Sequence, residues 1–170
     1  EYQDVNNIQD TIFKTLSAPN YNLTVVGDDD QSIYGFRGSN VEFIYHFEEY
    51  FSKKDIECKS YLLSNNYRST KSIVALSNYI ASRSNYDRRD KVIQAARNES
   101  GHLPVIKEFK SDKTEALYTC DAIFRLIKSG KVKRYSDICV LFRSLKGHSQ
   151  ELIKLFDKFS IPYKTTGAGS

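Results

Sequence analysis

This chain of 170 residues reads as an α/β protein, a parallel sheet with helices packed on its faces. Three observations support that reading. Segments with helical spacing of apolar residues alternate with short apolar runs of strand length, glycines stand where those segments end, and 40% hydrophobic content is ordinary for a globular core. Strands joined in series through helices require right-handed crossovers, which keep the strands parallel.

The elements follow in order. In "VNNIQDTIFKTLS" Val5, Ile8, Ile12 and Leu16 share one helical face, and "YNLTVVGD" reads as a buried strand closed by Gly27. "VEFIYHFEEYF" predicts a helix and "CKSYLLS" a strand. "TKSIVALSNYIAS" places Ile73, Leu76 and Ile80 on a stripe behind the capping candidates Ser69 and Thr70. The charge-dense "NYDRRDKVIQAARNESG" is expected to form a loop or a short surface helix. After Gly101 the order is strand "LPVIKEF", helix "DKTEALYTCDAIFRLIKSG", strand "DICVLF", helix "HSQELIKLFDKF" and strand "IPYKTTG". Asp112 with Glu115 resembles a capping box, and Gly130 is placed to end the long helix.

Composition excludes several classes. Cys58, Cys120 and Cys139 are odd in number and widely spaced, which supports neither a disulfide framework nor a zinc knuckle, so a reducing, cytoplasmic location is expected. His46, His102 and His148 lack ligand spacing, and no apolar run approaches the roughly 20 residues that span a bilayer. No membrane association is expected. Net charge is +4, but residues 1–64 carry −6 and the remainder +10. A basic second part suits a polyanionic partner and equally a solvated lysine-rich surface.

The densest chemistry lies in "VVGDDDQSIYGFRGS", Val25 to Ser39. Its position past the carboxyl end of a strand is where open parallel sheets bind ligands. Three carboxylates repel a phosphate unless a divalent cation or opposing groups such as Arg37 or Arg68 intervene. The Gln31 amide both donates and accepts, so it is able to sense a terminal phosphate. Tyr34 and Phe36, two apart, project to the same side if the segment is extended, a placement that suits stacking on nucleobases with Arg37 beside them. Alone, the same loop would read as a solvated turn whose aromatics return to the core.

Two further segments decide between those readings: "EYQD", Glu1 to Asp4, and "NNYRST", Asn65 to Thr70. With the loop, they resemble the UvrD/PcrA/Rep family of superfamily 1 DNA helicases, ATP-driven motors built from two RecA-like domains of the P-loop NTPase class. That family carries a "DE-[FY]-Q-D" box, a "VGDxxQSIYxWRGA" box and an "NYRS" box in this order and spacing. The resemblance is clearest through Thr70 and again from Ile138 to Gly167, where "VLFRS" and "IPYKTTG" look like pieces of the second motor domain.

The resemblance implies roles residue by residue. Glu1 would be the general base toward the attacking water, and Gln3 would lie beside it in the nucleotide site. Gln31 would sense the γ-phosphate, while Tyr34, Phe36 and Arg37 would contact single-stranded DNA. Tyr67 would stack on adenine, and Arg68 would act as an arginine finger. Phe36 stands where the family usually has tryptophan. ATP and Mg²⁺ are the implied cofactors of the full-length protein, and single-stranded DNA and its junctions with duplex the implied partners.

The phosphate-cradling "GxxxxGK[ST]" does not occur in this sequence, nor does the magnesium-binding aspartate that the resemblance sets before Glu1. The chain is therefore expected to be a fragment, incomplete at both ends. Residues 1–64 would come from the end of the first motor domain and 65–170 from the start of the second. Alone, it is expected to hold no nucleotide or metal tightly, to lack activity, and to pair with other chains through exposed sheet edges or leave its first residues disordered. Two rivals stand beside the helicase reading, for which the resemblance implies 3′-to-5′ polarity: the helicase subunit of a helicase-nuclease, and a degenerate module that only binds DNA. Whether Asn85 to Gly101, with Arg88, Arg89 and Arg97, touches DNA is open at this point.

Overall fold

A computed structural model describes residues 1–84 and 88–166. Two compact units divide the chain, Glu1–Pro104 and Val105–Ser170. The fold is α/β, with six α-helices and a short parallel ladder among the described residues.

The first unit begins with a 3₁₀ turn, Tyr2–Asp4, and α1, Asn7–Ser17. Asn6 and Gln9 cap α1 reciprocally, each side-chain oxygen accepting from the other's backbone N–H at 3.0 Å. The buried face of α1 is polar. Asp10 lies under the surface, accepts from the Tyr2 hydroxyl and pairs with Lys14 at 2.7 Å, while Ile8, Ile12 and Leu16 face outward. The expected apolar stripe thus exists as spacing but is not what α1 buries in this unit. Helix α2, Glu42–Tyr45, and α3, Phe47–Ser52, occupy the single helix expected there, broken at His46 (φ −99°, ψ 10°). Phe51 anchors an aromatic cluster with Phe47, Tyr50 and Tyr21, and the Tyr2 ring meets Phe47 edge-on at 5.6 Å.

Helix α4, Lys71–Ser82, starts from Thr70, whose side chain makes no capping bond. Val74 is its buried residue; Ile73 and Ile80 of the expected stripe are exposed. Strands β1, Asn65–Asn66, and β2, Gln94–Ala95, pair in parallel. Strand β2 lies in the segment expected to be a loop or surface helix, of which residues 85–87 are outside the described residues. Asn78 of α4 fixes the approach to β2, donating to Ile93 O at 2.8 Å and accepting from Ile93 N at 3.1 Å.

In the second unit α5, Asp112–Lys128, packs against α6, Gln150–Lys158. Their contact buries Ala116, Cys120, Ile123, Leu152 and Phe156, with Ile161 completing the core. Ser111 rather than Asp112 caps α5, exchanging hydrogen bonds with Thr114, because the extended backbone of Ser111 turns its hydroxyl onto the first free N–H groups. Gly130 ends this helix in the left-handed region at φ +69°, as its position implies.

The runs expected as strands at 21–28, 58–64, 103–109, 137–142 and 161–166 carry no ladder of their own among the described residues. Apolar periodicity reports a tendency to be buried; a strand forms only where its N–H and C=O groups meet a neighbour. The consequence is exposure. Leu62, Leu63, Leu103, Val105 and Leu141 face solvent, and Ile106 is 91% exposed. Gly167, the end of the last expected strand, lies outside the described residues. The first residues are tied down: Tyr2 N–H donates to Val26 O at 2.9 Å, and Tyr2 and Gln3 are buried.

Candidate functional site

A hydrogen-bonded path joins the first residues to the acidic loop, all within the first unit. Gln3, 4% exposed, donates from Nε2 to Glu1 Oε2 at 3.2 Å and accepts at Oε1 from Asp28 N–H at 3.2 Å. Asp28 then accepts at Oδ2 from Gln31 Nε2 at 2.6 Å. Glu1, Gln3 and Gln31 are thereby brought together. Gly27 permits this approach, since a Cβ there would stand 2.8 Å from Ile44 Cδ1 and 3.3 Å from Gln3 N. The loop itself is a 3₁₀ turn, Asp29–Gln31, capped by the Asp28 carboxylate on Asp30 N–H at 3.1 Å. Beside the path, Asp4 Oδ1 is buried with no hydrogen-bond partner.

Three residues further along the chain, the aromatic end of the loop faces solvent. Gly35–Arg37 forms a second 3₁₀ turn instead of the extended segment expected, yet Tyr34 and Phe36 still sit 6.1 Å apart between ring centroids. The Arg37 guanidinium lies 5.0 Å from the Tyr34 ring and 5.4 Å from the Phe36 ring. Phe36 is 79% exposed. A large apolar ring thus stands open to solvent beside a cation, and Gly38 at φ +82° turns the chain away behind it.

The charge compensation of the acidic turn was not legible in the sequence. The opposing cations are Lys91 and Arg88, not Arg37 or Arg68. Lys91 Nζ sits among all three carboxylates, 2.6 Å from Asp28 Oδ1, in hydrogen-bond contact with Asp29 Oδ1, and 3.3 Å from Asp30 Oδ2. Arg88 grips Asp30 with both Nε and Nη2, at 2.9 and 2.7 Å. Arg89 gives its backbone N–H to Asp29 Oδ2 at 2.7 Å and sends its guanidinium to Ile44 O at 2.9 Å. The Asp29 and Lys91 side chains are only 3% and 7% exposed.

Burial opposes the charged form of Asp29, but the hydrogen bonds from Lys91 and Arg89 and the lysine's charge outweigh it, holding its carboxyl below the usual range. Burial likewise opposes the Lys91 ammonium, and Asp28 and Asp29 reverse that, raising its pKa. Tyr45, desolvated and beside Asp29, is pushed up to about 12. The three carboxylate oxygens are close enough together to hold a cation, and that cation is the ammonium of Lys91. A hint of it was present in "DDD" and "RRDK", complementary runs some 60 residues apart, a separation no local pattern bridges.

Tyr67 and Arg68 follow β1 and are exposed. Asn66 Oδ1 accepts from Arg68 N–H at 3.0 Å and Ser69 N–H at 2.7 Å, and Arg97 donates to Arg68 O at 3.0 Å. The backbone beneath Arg68 is thus fixed while its guanidinium is left to solvent. Among the described residues, no hydrogen bond, ion pair or ring contact joins Tyr67 or Arg68 to Glu1, Gln3 or Gln31. Arg88, Arg89 and Arg97 are all engaged with protein groups.

Known proteins carry the same segments. Residues 1–52 match the family model of the UvrD/REP helicase N-terminal domain, and residues 61–170 match the UvrD-like helicase C-terminal domain. The chain belongs to the UvrD-like helicase family. It is 38% identical over 167 residues to the ATP-dependent DNA helicase PcrA of Staphylococcus epidermidis, covering 98% of this chain and 22% of that protein. It is 35% identical, at the same coverage, to the probable DNA helicase II homolog of Mycoplasma capricolum and to PcrA of Staphylococcus aureus. The chain therefore spans about a fifth of the length of these curated relatives. No helix among the described residues is long and apolar enough to cross a membrane.

Proposed function

We propose that this chain is a portion of an ATP-driven DNA helicase motor, residues 1–64 from the end of its first RecA-like domain and 65–170 from the start of its second. The parent moves 3′-to-5′ on single-stranded DNA, engages its junctions with duplex, and serves repair or replication in the cytoplasm. Glu1 accepts the proton of the water that attacks the γ-phosphate, and Gln3 holds that carboxylate in place. Gln31 senses the phosphate. Tyr34, Phe36 and Arg37 carry the strand, Tyr67 stacks on adenine, and Arg68 stabilises the charge developing in the phosphoryl transfer.

The groups present suit the terminal-phosphate end of a magnesium nucleotide: the Glu1 and Asp4 carboxylates, the latter with a buried oxygen lacking a partner, beside the amides of Gln3 and Gln31. Mg²⁺, when bound, supplies neutralisation of phosphate charge. The names of the family and its relatives support an ATP-dependent DNA helicase.

The observation that carries this reading is the continuous path from Glu1 through Gln3 and Asp28 to Gln31, three residues from an exposed pair of rings. One loop then touches both nucleotide and strand, so hydrolysis alters the grip on DNA. In the full-length protein, Gln31→Ala is expected to lower DNA-stimulated ATP hydrolysis at least ~10-fold while single-strand affinity stays within ~3-fold. Unchanged stimulation would falsify the sensor role.

A further inference from the structure

Two cations hold the acidic turn, Arg88 and Lys91, and the helicase reading uses neither. Lys91 is almost fully buried, yet its ammonium touches the carboxylates of Asp28, Asp29 and Asp30. Asp28 divides its two oxygens. Oδ1 takes the Lys91 ammonium and the Asp30 N–H, and Oδ2 takes the Gln31 amide. The carboxylate therefore has one orientation that satisfies all three donors, and the Gln31 side chain is aimed by it.

The segment bearing Lys91 is itself held at both ends. Arg88 grips Asp30 bidentately, Arg89 N–H bonds Asp29, and two residues after Lys91 the Ile93 backbone is clasped by Asn78 of α4. Beyond it, β2 pairs with β1, the strand that leads directly into Tyr67 and Arg68. Two bonds separate the 88–93 segment from Gln31, one ionic from Lys91 to Asp28 and one from the Gln31 amide to the same carboxylate. The acids fall in the stretch matched by the N-terminal helicase domain and Lys91 in that matched by the C-terminal one, so the cluster ties the two at the sensing loop.

We propose that Lys91 is a positioning residue for ATP hydrolysis, holding the Asp28 carboxylate so that it presents the Gln31 amide to the γ-phosphate. This rests on the reading of Gln31 as the sensor. Lys91, nearly buried and surrounded by carboxylates, acts through Asp28. Its loss lowers turnover rather than substrate binding, because an amide released from Asp28 samples many rotamers and occupies the productive one rarely.

The test is a double-mutant cycle in the full-length protein, using DNA-stimulated hydrolysis, KM for ATP and single-strand affinity. Lys91→Met, which keeps the stem and removes the charge, is expected to lower kcat at least ~10-fold with KM within ~3-fold. Lys91→Arg restores part of that rate. The Lys91→Met, Gln31→Ala double variant is expected to be no slower than the worse single one, within ~2-fold.

Multiplied defects in the double variant, or normal turnover in Lys91→Met beside an impaired Gln31→Ala, overturn the positioning role and leave the helicase reading standing. Normal turnover in Gln31→Ala overturns both. Should Lys91→Met fail to fold, Asp28→Asn, which leaves Lys91 its bonds to Asp29 and Asp30, carries the same expectation and the same refutation.

Discussion

Phe36 is a large apolar ring whose surroundings are solvent and a guanidinium rather than a core. A phenylalanine 79% exposed, with a guanidinium near its ring, gains nothing from the core and is free to stack on a base. Base stacking on an aromatic ring is worth roughly 1–3 kcal/mol by alanine substitution. Phe36→Ala in the full-length protein is therefore expected to weaken single-strand binding about 5- to 150-fold, as read by fluorescence anisotropy at fixed salt. Thermal stability should be unchanged, since the ring packs on little else. A stability loss with intact binding would return Phe36 to a structural role. Asp29 stands at the opposite pole, a buried carboxylate whose charge survives because Lys91 and the Arg89 amide meet it. Breaking such a pair from one side costs about 3–5 kcal/mol in general, more than any exposed ion pair of the surface.

At the scale of elements, helices follow local rules and the ladder does not. Apolar periodicity marked α1, α5 and α6 to within a few residues, and Gly130 marked the end of α5, while the α5 cap fell on Ser111 and not on the expected Asp112. The α5 cap is testable: Ser111→Ala removes the acceptor for Thr114 N–H and is expected to lower the stability of that unit by about 1 kcal/mol, seen as a lower denaturant midpoint. A midpoint identical to wild type would mean that water satisfies Thr114 N–H as well as the Ser111 hydroxyl does. Strands β1 and β2 are two residues each, too short for any periodicity, and arise because Asn78 and Ser64 offer partners from elsewhere in the chain. The buried face of α1 was hidden for a related reason. Its apolar stripe is plain in the sequence, but the polar set of Tyr2, Asp10 and Lys14 is defined only once the first residues pack beside it. Of the candidate site, the motifs "EYQD", "DDDQSIY" and "NYRS" were readable; the salt-bridged strap that orders the acidic turn was not.

For the whole molecule, the exposed apolar runs around Leu62, Leu103, Ile106 and Leu141 are expected to govern behaviour in solution. Exposed strand-like segments with unpaired backbone groups recruit one another. The isolated chain is expected to sediment well above its monomer mass of 19.6 kDa, and the same sample given ATP and Mg²⁺ to release no phosphate, its sequence having no Walker-type loop. A clean monomer, or hydrolysis that Glu1→Gln abolishes, would contradict these two expectations in turn.

The clasp of Asn78 on Ile93 bears on how this protein tolerates change. By seizing both the amide and the carbonyl of one residue, a single side chain sets the reading frame of everything threaded past the acids. Slide that thread by one position and a hydrocarbon, Val92, replaces the ammonium among three negative charges. Lengthening or shortening the chain between Arg88 and Ile93 by even one residue should therefore be far less forgivable than any exchange of side chains on the outer surface.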